Sequence, residues 1–134
     1  MTSPPSFTTQ SLGELCLIES ASGYRPSNQN KHRFLFEPND NSDPISWVTL
    51  IDQRAPQLNS QWPAILASVP LQLKSSLSAL GLDSLPEEAR LQHITLNGAG
   101  EAIILVGLSE SEEGHSLEIT LDDQGLVTSI NPTR

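Results

Sequence analysis

Histidine and cysteine are the side chains of this chain best suited to acid–base, nucleophilic or metal chemistry. The histidines are His32, His93 and His115, and no two are spaced like metal ligands on one helix face. Cys16 stands inside an apolar run, where a free cysteine is ordinarily a small buried side chain. We therefore predict no metal site, no cofactor and no catalytic cysteine.

Other motifs that carry chemistry are incomplete. Residues 39–43 are rich in Asn and Asp, but a calcium loop starting there would need Gly and Glu where Pro44 and Leu50 stand. The glycines of residues 98–100 lie between two predicted strands and predict a hairpin, whereas a phosphate loop opens a helix. No Gly-x-Ser-x-Gly motif is present. The sequence therefore predicts a protein that is not an enzyme.

Charge is the most distinctive property of the sequence. The net charge is −9, and residues 75–134 contribute −8 of it, with ten acids against two arginines. Nucleic acids and anionic membranes bind basic surfaces, whereas this chain is acidic, so neither is a predicted partner. One cysteine allows no internal disulfide. Without the pattern of a secretory signal at the start, the expected location is the cytoplasm.

Alternating apolar residues predict a mainly antiparallel sheet. The last four predicted strands are short and joined by tight turns, which is the pattern of a meander. The run at 101–108 is apolar almost throughout, so we predict a central strand covered on both faces. The predicted strands are residues 14–19, 32–37, 45–52, 91–97, 101–108, 117–121 and 126–130.

An apolar stripe from Trp62 to Leu80 predicts an amphipathic helix. Its apolar residues recur every three or four positions, Ser60 is a suitable N-cap, and Gly81 follows the last of them. Pro70 lacks the N–H that a continuous helix needs there, at a cost of about 3 kcal/mol or more. We predict a kinked helix or two abutting helices that share one buried face.

The helix and the sheet each have one apolar face, so each needs the other for burial. The predicted fold class is α+β. A curved antiparallel sheet, made of the C-terminal meander and the N-terminal strands, packs against one kinked or broken helix. Residues 1–134 are predicted to form a single domain, in which residues 1–10 are a flexible N-terminal tail.

An acidic strip on the last strands is the predicted site for a partner. Successive turns of a meander lie at alternate ends of the sheet, with the outward side chains of each strand between them. Such a strip can steer a basic protein towards the chain. Trp47 is added as an apolar anchor, on the condition that it is exposed. The acidic residues of the predicted strip are Glu110, Glu112, Glu113, Glu118, Asp122 and Asp123.

The leading functional hypothesis is an acidic binding protein that neutralises or escorts a basic partner, such as a toxin or a secreted effector. The profile is similar to that of bacterial immunity proteins against interbacterial toxins, in size, charge and lack of catalytic motifs, so no individual residue is carried over. Two alternatives stay open: a secretion chaperone of the type III kind, and a small-molecule module with a pocket between helix and sheet. A shifted pKa at His93 or Asp52 in a deep cavity would favour the last.

Overall fold

The described part of the chain is an eight-stranded open sheet with two helices. The computed structural model describes residues 4–18, 23–27, 33–38, 43–108 and 115–133. The elements are β1 (Ser6–Thr9), β2 (Gly13–Ile18), β3 (Gly23–Pro26), β4 (Arg33–Glu37), α1 (Pro44–Ala67), α2 (Pro70–Ala79), β5 (Arg90–Asn97), β6 (Ala102–Gly107), β7 (Ser116–Leu121) and β8 (Val127–Thr133).

The order of strands in the sheet follows the order in the sequence, from β1 to β8. All neighbouring pairs are antiparallel except β4 and β5, which are parallel because the two helices carry the chain back between them. The α+β class, the curved sheet and the antiparallel meander of β5 to β8 are confirmed.

The helices cover one face of the sheet, which we call the inner face. Each strand of the meander places alternate residues on that face, where side chains such as Ile94, Ile104 and Ile119 are almost fully buried. Helix α1 contacts β1 and β5, and α2 contacts the edge strand β8. The Ser76 hydroxyl of α2 donates a hydrogen bond to the Ile130 carbonyl at 3.1 Å, which occupies a backbone acceptor on that edge.

Four aromatic rings hold the first turns of α1 against the N-terminal strands. The Trp47 ring centroid lies 5.6 Å from that of Phe7, 5.5 Å from that of Tyr24 and 5.7 Å from that of Phe36. The Tyr24 hydroxyl donates to the Pro4 carbonyl at 2.7 Å. Tilted and edge-on ring pairs at such distances are favourable beyond the area that they bury. This cluster therefore fixes β1 and the start of α1 together.

The prediction of a strand at residues 45–52 is wrong, because these residues form the first part of α1. Asp43 caps the helix by accepting from the Ser46 N–H at 2.8 Å, so the helix begins far before the predicted cap at Ser60. Trp47 and Ile51 are buried at helical spacing and continue the predicted stripe towards the N-terminus. Burial of this longer stripe outweighs the local preference of β-branched residues for strands.

The break at Pro70 is confirmed as two abutting helices. Val69 has a non-helical backbone and Pro70 occupies the first turn of α2, where its missing N–H costs no hydrogen bond. The end near Gly81 is confirmed as well, since α2 finishes at Ala79 and Gly81 has φ +77°. Pro56 and Pro63 are tolerated inside α1.

The N-terminal region contains more strand than was predicted. Residues 6–9 form β1, paired with β2, so the prediction of a flexible tail over residues 1–10 is wrong for that part. Residues 23–26, predicted as part of a loop, form β3. These four-residue strands carry weak local patterns and depend on pairing and on the aromatic cluster.

Candidate functional site

The face of the sheet opposite the helices, here called the outer face, is partly apolar. The prediction that β6 is covered on both faces is wrong, since Ile103 is 40% exposed on this side. Strand pairing aligns Leu35 with Thr95, Thr95 with Ile103, and Ile103 with Thr120. Leu35, Thr95 and Thr120 are partly exposed. A row of aliphatic and threonine side chains thus crosses four strands, and no described helix or strand lies over it.

Glu118 lies in the adjacent row of the outer face, as its alternation with buried residues predicts. It pairs with Leu105 of β6, which in turn pairs with His93 of β5. The His93 ring nitrogen Nδ1 lies 3.3 Å from the Thr95 hydroxyl oxygen. Glu118 therefore stands directly beside an apolar side chain on the uncovered face.

Glu37 and Glu101, which are not part of the predicted strip, line one pocket at one end of the outer face, here called the acidic end. Glu37 ends β4 and pairs with Asn97 at the end of β5, and Glu101 lies across the hairpin from Asn97. The Asn97 amide donates to one Glu101 carboxylate oxygen at 3.0 Å, and its own oxygen accepts from the Ala99 and Glu101 N–H groups. The Glu101 carboxylate is therefore held in place before any partner arrives.

A shallow pocket of about 210 Å³ opens at this end of the outer face. This is smaller than the roughly 300–1,000 Å³ of ordinary small-molecule sites. The pocket can hold one side chain and is too small for a nucleotide or a similar cofactor. Its lining residues are Glu37, Thr95, Asn97, Glu101, Ala102, Ile103 and Thr120.

Asp122 and Asp123 lie in the β7–β8 turn at the same end of the sheet, and Asp123 lies towards α1. A Cβ built on Gly100 would lie 3.7 Å from both the Asp123 Cβ and the Leu50 side chain of α1. The Asp122 carboxylate accepts from the Gln124 and Leu126 N–H groups, both at 2.9 Å, and so shapes the β7–β8 turn. The Asp122 carboxylate is therefore engaged within its own turn, and only Asp123 is placed away from the outer face.

Arg54 of α1 lies under the same turn. Its Nη1 atom is 3.3 Å from the position that a Cβ on Gly125 would take. Its Nε and Nη2 atoms are buried and have no hydrogen-bond partner in the described ranges. Arg54 thus places a positive charge beside the β7–β8 turn, to which Asp122 and Asp123 belong.

The remaining members of the predicted site do not join this arrangement. Glu110, Glu112 and Glu113 lie outside the described residues. Trp47 is only 5% exposed and belongs to the aromatic cluster, so the condition for its use as a partner anchor is not met. Cys16, expected to be a small buried side chain, is half-buried on the outer face of β2, with its sulfur 3.9 Å from a Glu14 carboxylate oxygen.

Asp52 and His93, the residues considered for a small-molecule pocket, lie on opposite sides of the sheet. The Asp52 carboxylate of α1 accepts from the Gln10 N–H at 3.2 Å, the Ser11 N–H at 2.9 Å and the Ser11 hydroxyl at 2.7 Å. Burial alone would raise the pKa of Asp52, but these three hydrogen bonds lower it below its ordinary value of 3.8. Asp52 thus ties the β1–β2 turn to α1 and stays ionised.

Replacing Asp52 with asparagine is expected to lower the free energy of unfolding at neutral pH by about 1–2 kcal/mol, because an amide cannot satisfy the same three donors. The pKa of Asp52 is lower in the folded protein than in the unfolded chain. Ionised Asp52 therefore stabilises the fold fully at a pH above its unfolded-state pKa, and this stabilisation is lost as the pH falls through its folded-state pKa. In urea titrations, the difference between the two proteins should be constant from about pH 6 to 8 and shrink below about pH 4.

Asp43→Asn is the matched control, since asparagine caps a helix about as well as aspartate does. It should change stability by less than about 0.5 kcal/mol. Equal losses in the two variants, or an Asp52 effect that acid leaves unchanged, would contradict the role assigned to Asp52.

The described residues offer no other site of recognised chemistry. They contain no group of three or more His, Cys, Asp or Glu side chains placed to hold a metal ion. Neither α1 nor α2 has the length and hydropathy needed to cross a membrane. No family model, curated protein or solved structure matches the chain significantly. Function has to be argued from the outer face itself.

Proposed function

We propose that the protein is a non-catalytic binding protein whose outer face receives a basic surface of a protein partner. The observation that carries the proposal is the combination of three carboxylates, two exposed and one half-buried, with uncovered aliphatic side chains on one face of the sheet. Aliphatic contacts supply burial, and the carboxylates supply steering and orientation. The proposed binding surface, called the outer acidic face, consists of Glu37, Glu101, Glu118, Leu35, Ile103 and Leu105.

The polarity of this face supports a basic partner with a defined orientation. Glu37 and Glu101 lie at one end, whereas Arg90 begins β5 at the other. A bound cation is favoured only near the acidic end. The partner would therefore be placed in one direction, as an inhibitor that covers a cationic cleft must be.

The proposal is tested by comparing three forms of the protein as baits in an extract of its source cells. One variant carries Glu37→Lys, Glu101→Lys and Glu118→Lys. The matched control carries Asp83→Lys, Glu87→Lys and Glu88→Lys, three exposed acids in the α2–β5 connection that leads to the opposite end of the sheet. Both variants change the net charge equally, so general attraction is held constant.

The wild type and the control should retain the same basic protein, and the outer-face variant should lose it. Circular dichroism of the three baits verifies that each is folded. Equal retention by the two variants would reject the outer acidic face as the binding surface. Loss from both would show that net charge, and not this face, decides binding.

The alternative function, a secretion chaperone, is favoured by one observation: Ile103 is exposed among other aliphatic side chains on this face. Secretion chaperones use exposed apolar grooves and are commonly dimers. Light scattering coupled to size exclusion separates the two functions, because a strict monomer argues against the chaperone.

A further inference from the structure

We infer that the pocket at the acidic end of the outer face accommodates a single arginine side chain of the partner. This inference rests on the proposed function and names the group that the site recognises. The pocket, of about 210 Å³, combines an apolar wall at Ile103 with carboxylates at Glu37 and Glu101. A long cationic side chain lays its methylene stem on apolar surface and keeps its charged head among polar groups.

The acceptors of the pocket come from separate strands, which favours a guanidinium over an ammonium. Glu37 belongs to β4 and Thr120 to β7, while Glu101 immediately precedes β6. Neighbouring strands are about 4.8 Å apart and β5 lies between β4 and β6, so Glu37 stands on one side of the pocket and Glu101 and Thr120 on the other. Arginine carries five N–H donors in a planar fork, whereas the lysine ammonium is a compact point charge with three.

The position of Glu101 adds pre-organisation. The Asn97 amide occupies one oxygen of the carboxylate, at 3.0 Å, and leaves the second oxygen without a partner among the described residues. Glu37, the other carboxylate of the pocket, is exposed. Because the Glu101 carboxylate is held by Asn97 before binding, it loses little entropy when the ligand arrives. The free oxygen of Glu101 is therefore the primary acceptor of the arginine head.

The test uses three blocked tripeptides of sequence Val-X-Val, in which X is arginine, lysine or citrulline. Citrulline keeps the shape of arginine without its charge. Each is titrated into ¹⁵N-labelled protein while the amide resonances are followed. The arginine peptide should shift Thr95, Ile103 and Thr120 with an apparent Kd on the order of 1 mM, at least fivefold tighter than the lysine peptide. The citrulline peptide should cause no saturable shift.

Variants locate the effect within the pocket. Glu101→Gln should weaken the arginine peptide at least fivefold, and Asp83→Asn, a neutralisation at an exposed residue before β5, should leave its affinity unchanged. Equal affinities for arginine and lysine, or shifts centred away from the pocket, overturn the inference, as does the absence of any shift. If any of these results were obtained while the outer-face variant lost the partner and the control bait retained it, arginine recognition would be rejected and the proposed function would stand. If the two variant baits retained the partner equally, the proposed function itself would be rejected.

Discussion

Replacing Trp47 with alanine is expected to lower the free energy of unfolding by about 3–5 kcal/mol, the usual cost of removing a large buried aromatic side chain. Trp47 is 5% exposed and contacts rings from three strands. Its loss would leave a cavity between α1 and the sheet. Urea denaturation followed by far-UV circular dichroism measures the change without depending on tryptophan fluorescence.

Ile45→Ala is the control for the same helix, because Ile45 is 79% exposed two residues before Trp47. It should change stability by no more than about 0.5 kcal/mol. Trp47→Phe should recover much of the loss and leave partner binding unchanged, since the tryptophan lies on the covered side. A Trp47→Ala protein as stable as the Ile45→Ala protein would show that the aromatic cluster does not hold α1 in place.

Replacing Gly23 with alanine is expected to cost about 2–3 kcal/mol through overpacking. A Cβ at Gly23 would lie 2.7 Å from the Phe36 carbonyl oxygen and 2.8 Å from a Leu35 methyl carbon. The first of these atoms belongs to the backbone of β4 and cannot move without disturbing the β3–β4 pairing. Since β4 also carries Glu37, the same variant should weaken partner binding.

Gly107→Ala provides the matched strand glycine. The atoms that a Cβ would meet there belong to the Gln92 side chain, the nearest at 2.5 Å, and a flexible side chain can turn away. We expect a loss of less than about 1 kcal/mol, partly offset by the lower backbone entropy of alanine in the unfolded chain. Thermal and urea unfolding of the pair should rank Gly23→Ala well below Gly107→Ala, and the reverse order would contradict the packing described at β3 and β4.

The C-terminal half of the fold could be predicted from the sequence because its signals are local. Alternation along β5 and β7 and the turn at residues 98–100 are each contained within a few residues. The first half of α1 was missed because its β-branched residues resemble a strand, although Trp47 and Ile51 already show helical spacing. Short β1 could not be predicted from local pattern, since pairing and tertiary contacts hold it in place.

The candidate site was only partly predictable for a related reason. Glu118 follows from simple alternation within β7. Glu37 and Glu101 are 64 residues apart in sequence and meet only because β4 and β5 pair in parallel across the helical crossover. Asp123 turns towards α1, which no local pattern indicates. Sheet topology, and not composition, decides which carboxylates share a face.

The most direct measurement is the association rate of the captured partner with the two charge-reversed triple variants, as a function of ionic strength. If Glu37, Glu101 and Glu118 form the binding surface, their reversal should slow association at low salt at least about tenfold relative to the wild type and flatten the salt dependence. Reversal of Asp83, Glu87 and Glu88 should change the rate by less than about threefold, since these acids lie away from that surface. Identical rates and salt slopes for the two variants would contradict recognition by the outer acidic face.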